Sequence, residues 1–272
     1  MILTIDIGGS AIKSALYHPN GTHHQSLPNQ KSAVSAHDNQ LLKQITAHIL
    51  NIQTQHPIQG IAIASAGIVN PKTGHIVYAG PTIPNYSNTP LAQHIQDHCQ
   101  LPCSVENDVN AAALGEHWLG AAQGSDSVLC LTIGTGVGGA LILNNQLWRG
   151  HQFSAGEIGY LPLSASHTLQ QKASTTALLQ HYHTLSNDSI DGKTFFARYQ
   201  QNDPHAHSVF TSFIDHLTTG LLPLIYLINP HTLLIGGGIS AQFNLLEPAL
   251  TQSLSQCIQD PRFSPSASPA PN

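Results

Sequence analysis

The stretch Val105-Glu106-Asn107-Asp108-Val109-Asn110 gathers two carboxylates and two carboxamides into a few consecutive positions. A carboxylate within reach of a hydroxyl is a candidate general base, and amides beside it can orient further hydroxyls. A lone Asp or Asn ahead of a helix is an ordinary N-cap, which requires one side chain. Four polar side chains exceed that need, so Asp108 reads as a candidate base and Asn107 as a candidate hydroxyl ligand. The run 102–105 has strand character, and Ala111-Ala112-Ala113-Leu114 is strong helix-forming sequence. The cluster therefore falls at the carboxyl end of a strand and in the first turn of a helix, where open α/β sheets bind ligands.

Two glycine turns carry the other chemistry. An apolar strand over 2–7 breaks at Gly8-Gly9-Ser10 and resumes at Ile12-Lys13-Ser14-Ala15-Leu16-Tyr17. Glycines let backbone N–H groups approach an anion, Ser10 adds a hydroxyl and Lys13 a charge, and Asp6 suits a hydrated Mg²⁺. A bare hairpin turn would also explain the glycines. Gly134-Thr135-Gly136-Val137-Gly138-Gly139 fits a dinucleotide fingerprint, with Glu157 at about the expected 20-residue distance. That fingerprint must open a helix, whereas Ala140-Leu141-Ile142-Leu143, Asn144-Asn145 and Gln146-Leu147-Trp148 read as strand, turn, strand. The chain thus has two strand-turn-strand elements, at 2–17 and 128–143, able to grip a polyphosphate from both sides. Gly236-Gly237-Gly238 follows a strand over 232–235, as a close approach to a base or ribose or as a plain strand-to-helix turn. Glu157 lies in the loop Ala155-Gly156-Glu157-Ile158-Gly159-Tyr160, and Gly67 ends a buried strand over 60–66. Asn85 and Asn88 sit in a polar loop that either touches a ligand or merely connects. Asp38 is expected to cap a helix with the apolar face Leu41, Leu42, Ile45, Ile49 and Ile52, and Pro90 to open the next helix.

The 272 residues and 29.0 kDa suffice for one large domain or two lobes. Only 8% of residues are charged, and 18 are His, which lowers the significance of any single His. With net charge -5 and nine scattered Lys plus Arg there is no basic stripe, so nucleic acid is not an expected partner. Cys99, Cys103, Cys130 and Cys257 have no metal-binding spacing. No basic leader and no stretch near the roughly 20 apolar residues of a membrane span is seen, so a cytoplasmic protein without membrane association is expected. The Ser/Pro/Ala-rich tail, 264–272, is expected to be disordered.

The segments Asp6-Ile7-Gly8-Gly9-Ser10-Ala11-Ile12-Lys13, 106–116, 134–139, Ala155-Gly156-Glu157-Ile158-Gly159 and Asn229-Pro230 with Gly236-Gly237-Gly238-Ile239-Ser240 resemble, in order, the motifs of the ROK family of sugar kinases and sugar-responsive repressors. The resemblance implies the α/β actin-like, ribonuclease-H-like ATPase fold, with two lobes around a nucleotide and sugar cleft. Lobes over 1–116 and 117–263 are expected. It implies Asp108 as general base, with Asn107 and Glu157 on other ring hydroxyls, Gly67 lining the sugar pocket and Asn85 a further contact. Asp6, Gly8, Gly9, Ser10 and Lys13 would meet Mg·ATP, Gly134, Thr135 and Gly136 would close on its phosphates, and Gly237 and Gly238 would lie near the adenosine.

Three departures shape the expectation. The family's zinc set is missing: Tyr160 stands at its His position, and 167–174 crosses its cysteine region without a Cys. The chain is similar here to the subset without zinc motifs, which includes β-glucoside kinases, so no zinc is expected. Gln170 stands where a sugar-binding Glu is usual; with Tyr160 it implies a change at the C1 and C2 end of the sugar. Third, the sequence stops without the family's closing Ala/Gly-rich helix. The expected function is ATP-dependent phosphorylation of a hexose or hexoside, with a C1-substituted hexose used at least as well as glucose. The alternative is a catalytically impaired sugar sensor; its DNA-binding form requires a helix-turn-helix ahead of Met1. A homodimer is carried as the candidate assembly.

Overall fold

The computed structural model describes residues 1–35, 39–80 and 83–270. It divides into two compact units, Met1–Ala111 with His151–Ser154, and Ala112–Gly150 with the chain from Ala155 on.

The first unit contains β1 (Ile2–Ile7), β2 (Ala11–Tyr17), β3 (His23–Ser26), β4 (Gln30–Lys31), α1 (Leu41–Gln55), β5 (Gly60–Ser65), β6 (Ile68–Asn70), β7 (His75–Tyr78), α2 (Leu91–Cys99) and β8 (Cys103–Asn107). Its sheet runs β3-β2-β1-β5-β8, with β4 also on β2. The β1 and β2 strands are antiparallel, and β1, β5 and β8 are parallel. Alternating apolar residues put Leu3, Ile5 and Ile7 into a core closed by Leu41, Ile45, Ile49 and Ile52 of α1. Asp38, the expected cap of α1, lies outside the described residues; Asn39 Oδ1 accepts from the N–H of Leu41 at 3.0 Å. Pro90 is the N-cap of α2 rather than its first helical residue.

The helix α3 (Asp108–Leu119) crosses from the first unit into the second. The division falls after Ala111, not after Glu116, because the second half of α3 is tied to the loop on its C-terminal side. Glu116 Oε2 accepts from Ala121 N at 2.9 Å, and the His117 ring bonds the Ser125 carbonyl at 3.0 Å.

The second unit continues with β9 (Val128–Ile133), β10 (Val137–Leu143), β11 (Gln146–Trp148), α4 (Leu169–Ala173), α5 (Thr175–Ser186), α6 (Gly192–Gln200), α7 (Pro204–Ile228), β12 (Thr232–Gly236), α8 (Phe243–Cys257) and β13 (Ser266–Pro269). Its sheet order, β11-β10-β9-β12-β13, repeats that of the first: an antiparallel hairpin partner on one side of β9, parallel strands on the other. All five residues of β12 are buried. Two expectations are corrected here. The tail is not wholly disordered: Ser266–Pro269 pairs with β12, through Ser266 N to His231 O and Ala270 N to Ile235 O, both 3.0 Å. Second, α7, at 25 residues, is long and apolar enough to cross a membrane by length and composition. Its stripe of Val209, Phe213, Leu217, Leu221 and Ile225 is buried in the core of this unit.

Candidate active site

Asn107 ends β8 and Asp108 opens α3, as the strand-to-helix reading requires. The amide of Asn107 is fully engaged. Its Oδ1 accepts from Val109 N and Asn110 N, both at 3.0 Å, which makes it the N-cap. Its Nδ2 donates to Gly67 O at 3.0 Å and to Asp108 Oδ1 at 2.9 Å. Two donors and two acceptor positions are all a carboxamide has. Asn107 therefore holds Asp108, whose Oδ1 also accepts from Val109 N at 3.0 Å, while the Asp108 residue stays exposed. Glu106 turns back on the same network, accepting from Asn107 N and Asn110 Nδ2. Gly67 has φ +102°, and a Cβ there would stand 2.5 Å from the Tyr78 carbonyl, so only glycine presents its own carbonyl to Asn107 in this way.

The first glycine turn joins β1 to β2. Gly8 N–H donates to Ala11 O at 3.0 Å, and Ser32, unnoticed in the sequence, braces the turn through Oγ to Gly8 O at 2.6 Å and N to Ser10 O at 3.1 Å. Gly9 and exposed Ser10 complete it. Asp6 pairs with Lys13 across the hairpin, Nζ to Oδ2 at 4.0 Å. Burial lifts the Asp6 carboxyl above its ordinary pKa, and Lys13 offsets part of that. A half-exposed carboxylate beside a glycine turn suits Mg²⁺ held through water, since Mg²⁺ sheds its hydration reluctantly. Asn85 is exposed, at φ +55°, on a loop anchored by buried Tyr86, whose hydroxyl meets Ser65 Oγ at 3.1 Å. It lines a cavity of about 520 Å³ with Gly80, Pro84 and Ser87.

In the second unit, Gly134, Thr135 and Gly136 join β9 to β10. Gly134 N–H donates to Gly136 O at 3.0 Å, and Thr175, at the start of α5, braces the turn by donating its N–H to Gly134 O at 2.8 Å. Gln170 Oε1 lies against Gly136 and Gly159, 3.1 and 3.3 Å from where their Cβ atoms would stand. Gly139, the last glycine of the dinucleotide-like run, is required by close packing on Gly156, as Gly159 is by packing on Val137. A Cβ on Gly139 would meet Gly156 O at 2.7 Å, one on Gly156 would meet Gly139 O at 2.4 Å, and one on Gly159 would meet Val137 O at 2.2 Å. The glycines let the loop bearing Glu157 lie backbone to backbone on β10. Glu157 itself is exposed as a residue, but its carboxyl is desolvated enough to raise its pKa. Tyr160 is 64% exposed and does not line the cavity that Gln170 lines.

Gly237 needs glycine for φ +81° and because a Cβ would stand 2.6 Å from Ile133 O, a contact with protein backbone. Gly238 has open space and lines a cavity of about 530 Å³ with Thr135, Leu179, Lys193, Phe196 and Ile239. Its apolar walls and the adjoining glycine turn suit a flat base followed by phosphates. Among the described residues no three His, Cys, Asp or Glu side chains cluster as metal ligands.

One strand order used twice, each time with a braced glycine hairpin next to its central strand, defines the actin-like, ribonuclease-H-like ATPase fold. The chain belongs to the ROK family, whose profile matches residues 2–270. It is 35% identical over 252 residues to the β-glucoside kinase of Listeria monocytogenes, covering 89% of this chain and 83% of that one. Its structure is similar to a ROK family glucokinase from Streptomyces griseus in complex with glucose and AMPPNP, with TM-score 0.83 and 28% identity over 98% of this chain and 93% of that one. It is also similar to a ROK family protein from Streptococcus pneumoniae in complex with sucrose, with TM-score 0.87 and 26% identity over 100% and 92% of the two chains.

Proposed function

We propose that this ATP-dependent sugar kinase phosphorylates a hydroxyl of a hexose or, at least as well, of a β-glucoside, with Asp108 as general base. The observation that carries the reading is the Asp108 carboxylate, exposed at the first turn of α3 and fixed by Asn107 and its own helix. In this reading Asp108 accepts the proton of the attacking hydroxyl as its oxygen bonds to the γ-phosphorus. The bond to the β-phosphate oxygen breaks and ADP leaves. Phosphoryl transfer asks mainly for positioning and charge neutralisation, with one base near the nucleophile. In the first hairpin Gly9 and Ser10, and in the second Thr135 and Gly136, offer donors to the phosphates, Gly8 and Gly134 closing the turns through their own N–H groups, while the cavity at Gly238 takes the adenosine. Mg²⁺ on Asp6, through water, would neutralise phosphate charge. Glu157 and Gln170 take sugar hydroxyls. Asn107 acts chiefly by orienting Asp108, since its amide already has four protein partners.

The kinship with β-glucoside kinases supports the glycoside preference, as does Gln170 in place of a carboxylate. A coupled assay of ADP release across glucose, cellobiose, N-acetylmannosamine and N-acetylglucosamine tests the whole reading. Turnover with kcat/KM for cellobiose at or above that for glucose supports it. A clear preference for glucose or for an N-acetylated hexosamine removes the glycoside part, and sugar binding without turnover points to the sensor alternative. Zinc has no place in this reading. Elemental analysis is expected to find no stoichiometric zinc, and a chelator to stop turnover only until Mg²⁺ is restored; one tight zinc per chain would overturn that.

A further inference from the structure

The segment that braces the first glycine turn has little strand to hold it. β4 pairs with β2 only through Lys31 with Ala11 and Gln30 with Ile12, before Ser32 bonds Gly8 and Ser10. One carboxamide from α1 clamps the backbone on both sides of Ser32. Gln44 Nε2 donates to Lys31 O and Gln44 Oε1 accepts from Ala33 N, both at 2.8 Å. The same Nε2 donates to Gln30 Oε1 at 3.2 Å. Gln30 Nε2 in turn donates to His48 Nδ1 at 2.8 Å, and His48 Nε2 lies 2.8 Å from Ser14 Oγ. Gln44 and His48 are four residues apart, on one face of α1, and His48 is buried. The polarity of this relay is dictated from its backbone end. The Lys31 carbonyl needs a donor and the Ala33 N–H an acceptor, which orients Gln44. Gln44 then takes the oxygen of Gln30, whose Nε2 is left to face His48. Nδ1 is therefore the acceptor, and the neutral ring carries its proton on Nε2, toward Ser14.

We propose that His48, Gln30 and Gln44 are positioning residues for the turn Gly8-Gly9-Ser10, and that they hold Ser32 against it only while the His48 imidazole is neutral. The inference rests on the reading of that turn as a nucleotide phosphate site. A proton on Nδ1 would set a donor against the Gln30 amide. Turning Gln30 over satisfies the imidazolium but sets its Nε2 against that of Gln44. Turning Gln44 over as well faces its oxygen to Lys31 O and its nitrogen to Ala33 N. No arrangement of the two amides pairs the imidazolium and both backbone groups, so a proton at His48 is felt at Ser32. Burial holds the His48 pKa below the ordinary imidazole range. The other titratable side chains on the elements around it are Lys13 and Tyr17 of β2, His23 and His24 of β3, Lys31 of β4 and Lys43 of α1, with no carboxylate to stabilise an imidazolium. Asp6 of β1 projects with Lys13 from the face of the sheet opposite Ser14. The relay is therefore intact at neutral pH and weakens as pH falls below the imidazole range.

The test measures calorimetric Kd for Mg·AMPPNP, and for the sugar best used in the coupled assay, from about pH 7.5 down to about pH 5. Gln44→Ala and His48→Ala are expected to raise the nucleotide Kd about tenfold at the upper pH, with sugar Kd within about twofold, which also shows the variants are folded. In the wild type the nucleotide Kd is expected to climb at least about threefold toward the acid end. His48→Asn sets a carbonyl oxygen near the place of Nδ1 and does not titrate, so it should recover most of what His48→Ala loses and flatten the acid climb. An unchanged nucleotide Kd in Gln44→Ala, or the same acid climb in the wild type and His48→Asn, would overturn the relay. Should His48→Ala fail to fold, Gln44→Ala and His48→Asn decide the matter. A wild type that binds no nucleotide overturns the phosphate-turn reading and the relay with it, whereas nucleotide binding without turnover on any sugar overturns the kinase reading and leaves the relay standing.

Discussion

Asn107 and Asp108 divide between them what a single residue type would do badly. Asp108 presents a carboxylate, and Asn107 spends its whole amide on fixing that carboxylate, the helix end and Gly67. Asn107→Ala is therefore expected to cost about 1 kcal/mol of stability, as lost caps do, and to lower kcat. Asn107→Asp keeps the capping oxygen but loses both donors and sets a second carboxylate beside Asp108, so stability should return and kcat should not. Denaturant unfolding and turnover of the pair check this; recovery of kcat in Asn107→Asp would mean that the cap alone matters. Asp6 gives the opposite sign. Burial raises its folded pKa above the unfolded one, so its favourable contribution is present at low pH and is lost as pH rises through the folded pKa. At pH 7.5 Asp6→Asn should melt no lower than the wild type, with the difference shrinking in acid, while turnover falls at least tenfold. A lower Tm at pH 7.5 would contradict that balance. The sequence showed that the polar cluster exceeded the needs of a cap. It could not show that the surplus is mostly a network, because the partner that completes it, the Gly67 carbonyl, lies 40 residues away.

At the scale of elements, the two hairpins were legible because Gly8-Gly9-Ser10 and Gly134-Thr135-Gly136 each interrupt an apolar alternation that resumes at once. Their braces, Ser32 and Thr175, were not, since a serine or threonine in a polar stretch carries no periodic signal. The tail misled for a different reason. Its composition is that of a disordered segment, but its parity is that of an edge strand. Ser266 and Ala270 turn their N–H groups to His231 and Ile235, which places Ser268 on the inward side and Ala267 and Pro269 on the outward side. A proline facing outward on an edge removes no ladder bond. Ser268→Pro is thus expected to lower Tm by several degrees through a lost bond worth about 1 kcal/mol, whereas Ala267→Pro should change it little. Equal melting temperatures for the two variants would contradict the pairing of β13 with β12.

For the molecule as a whole, both units repeat one strand order while only one copy carries a carboxylate at the penultimate residue of its central strand. Asp6 holds that position in β1 and Thr132 in β9. In the proposed reaction the duplication would serve two different phosphate turns, one beside an acid suited to Mg²⁺ and one beside a hydroxyl. The two copies of the strand-turn-strand element, at 2–17 and 128–143, were legible from sequence, without the contrast of Asp6 and Thr132. The division inside α3 was not, because helix-forming sequence runs on through the boundary. The proposed reaction needs Asp108 as its base, and Asp108→Asn measured with saturating ATP and sugar, alongside calorimetric sugar binding, tests this most directly. The amide keeps the shape at the first turn of α3 but cannot take the proton. The expected result is a kcat lower by about 10²–10⁴-fold with sugar affinity nearly unchanged; turnover at the wild-type rate would reduce Asp108 to a part of the helix end and contradict the account.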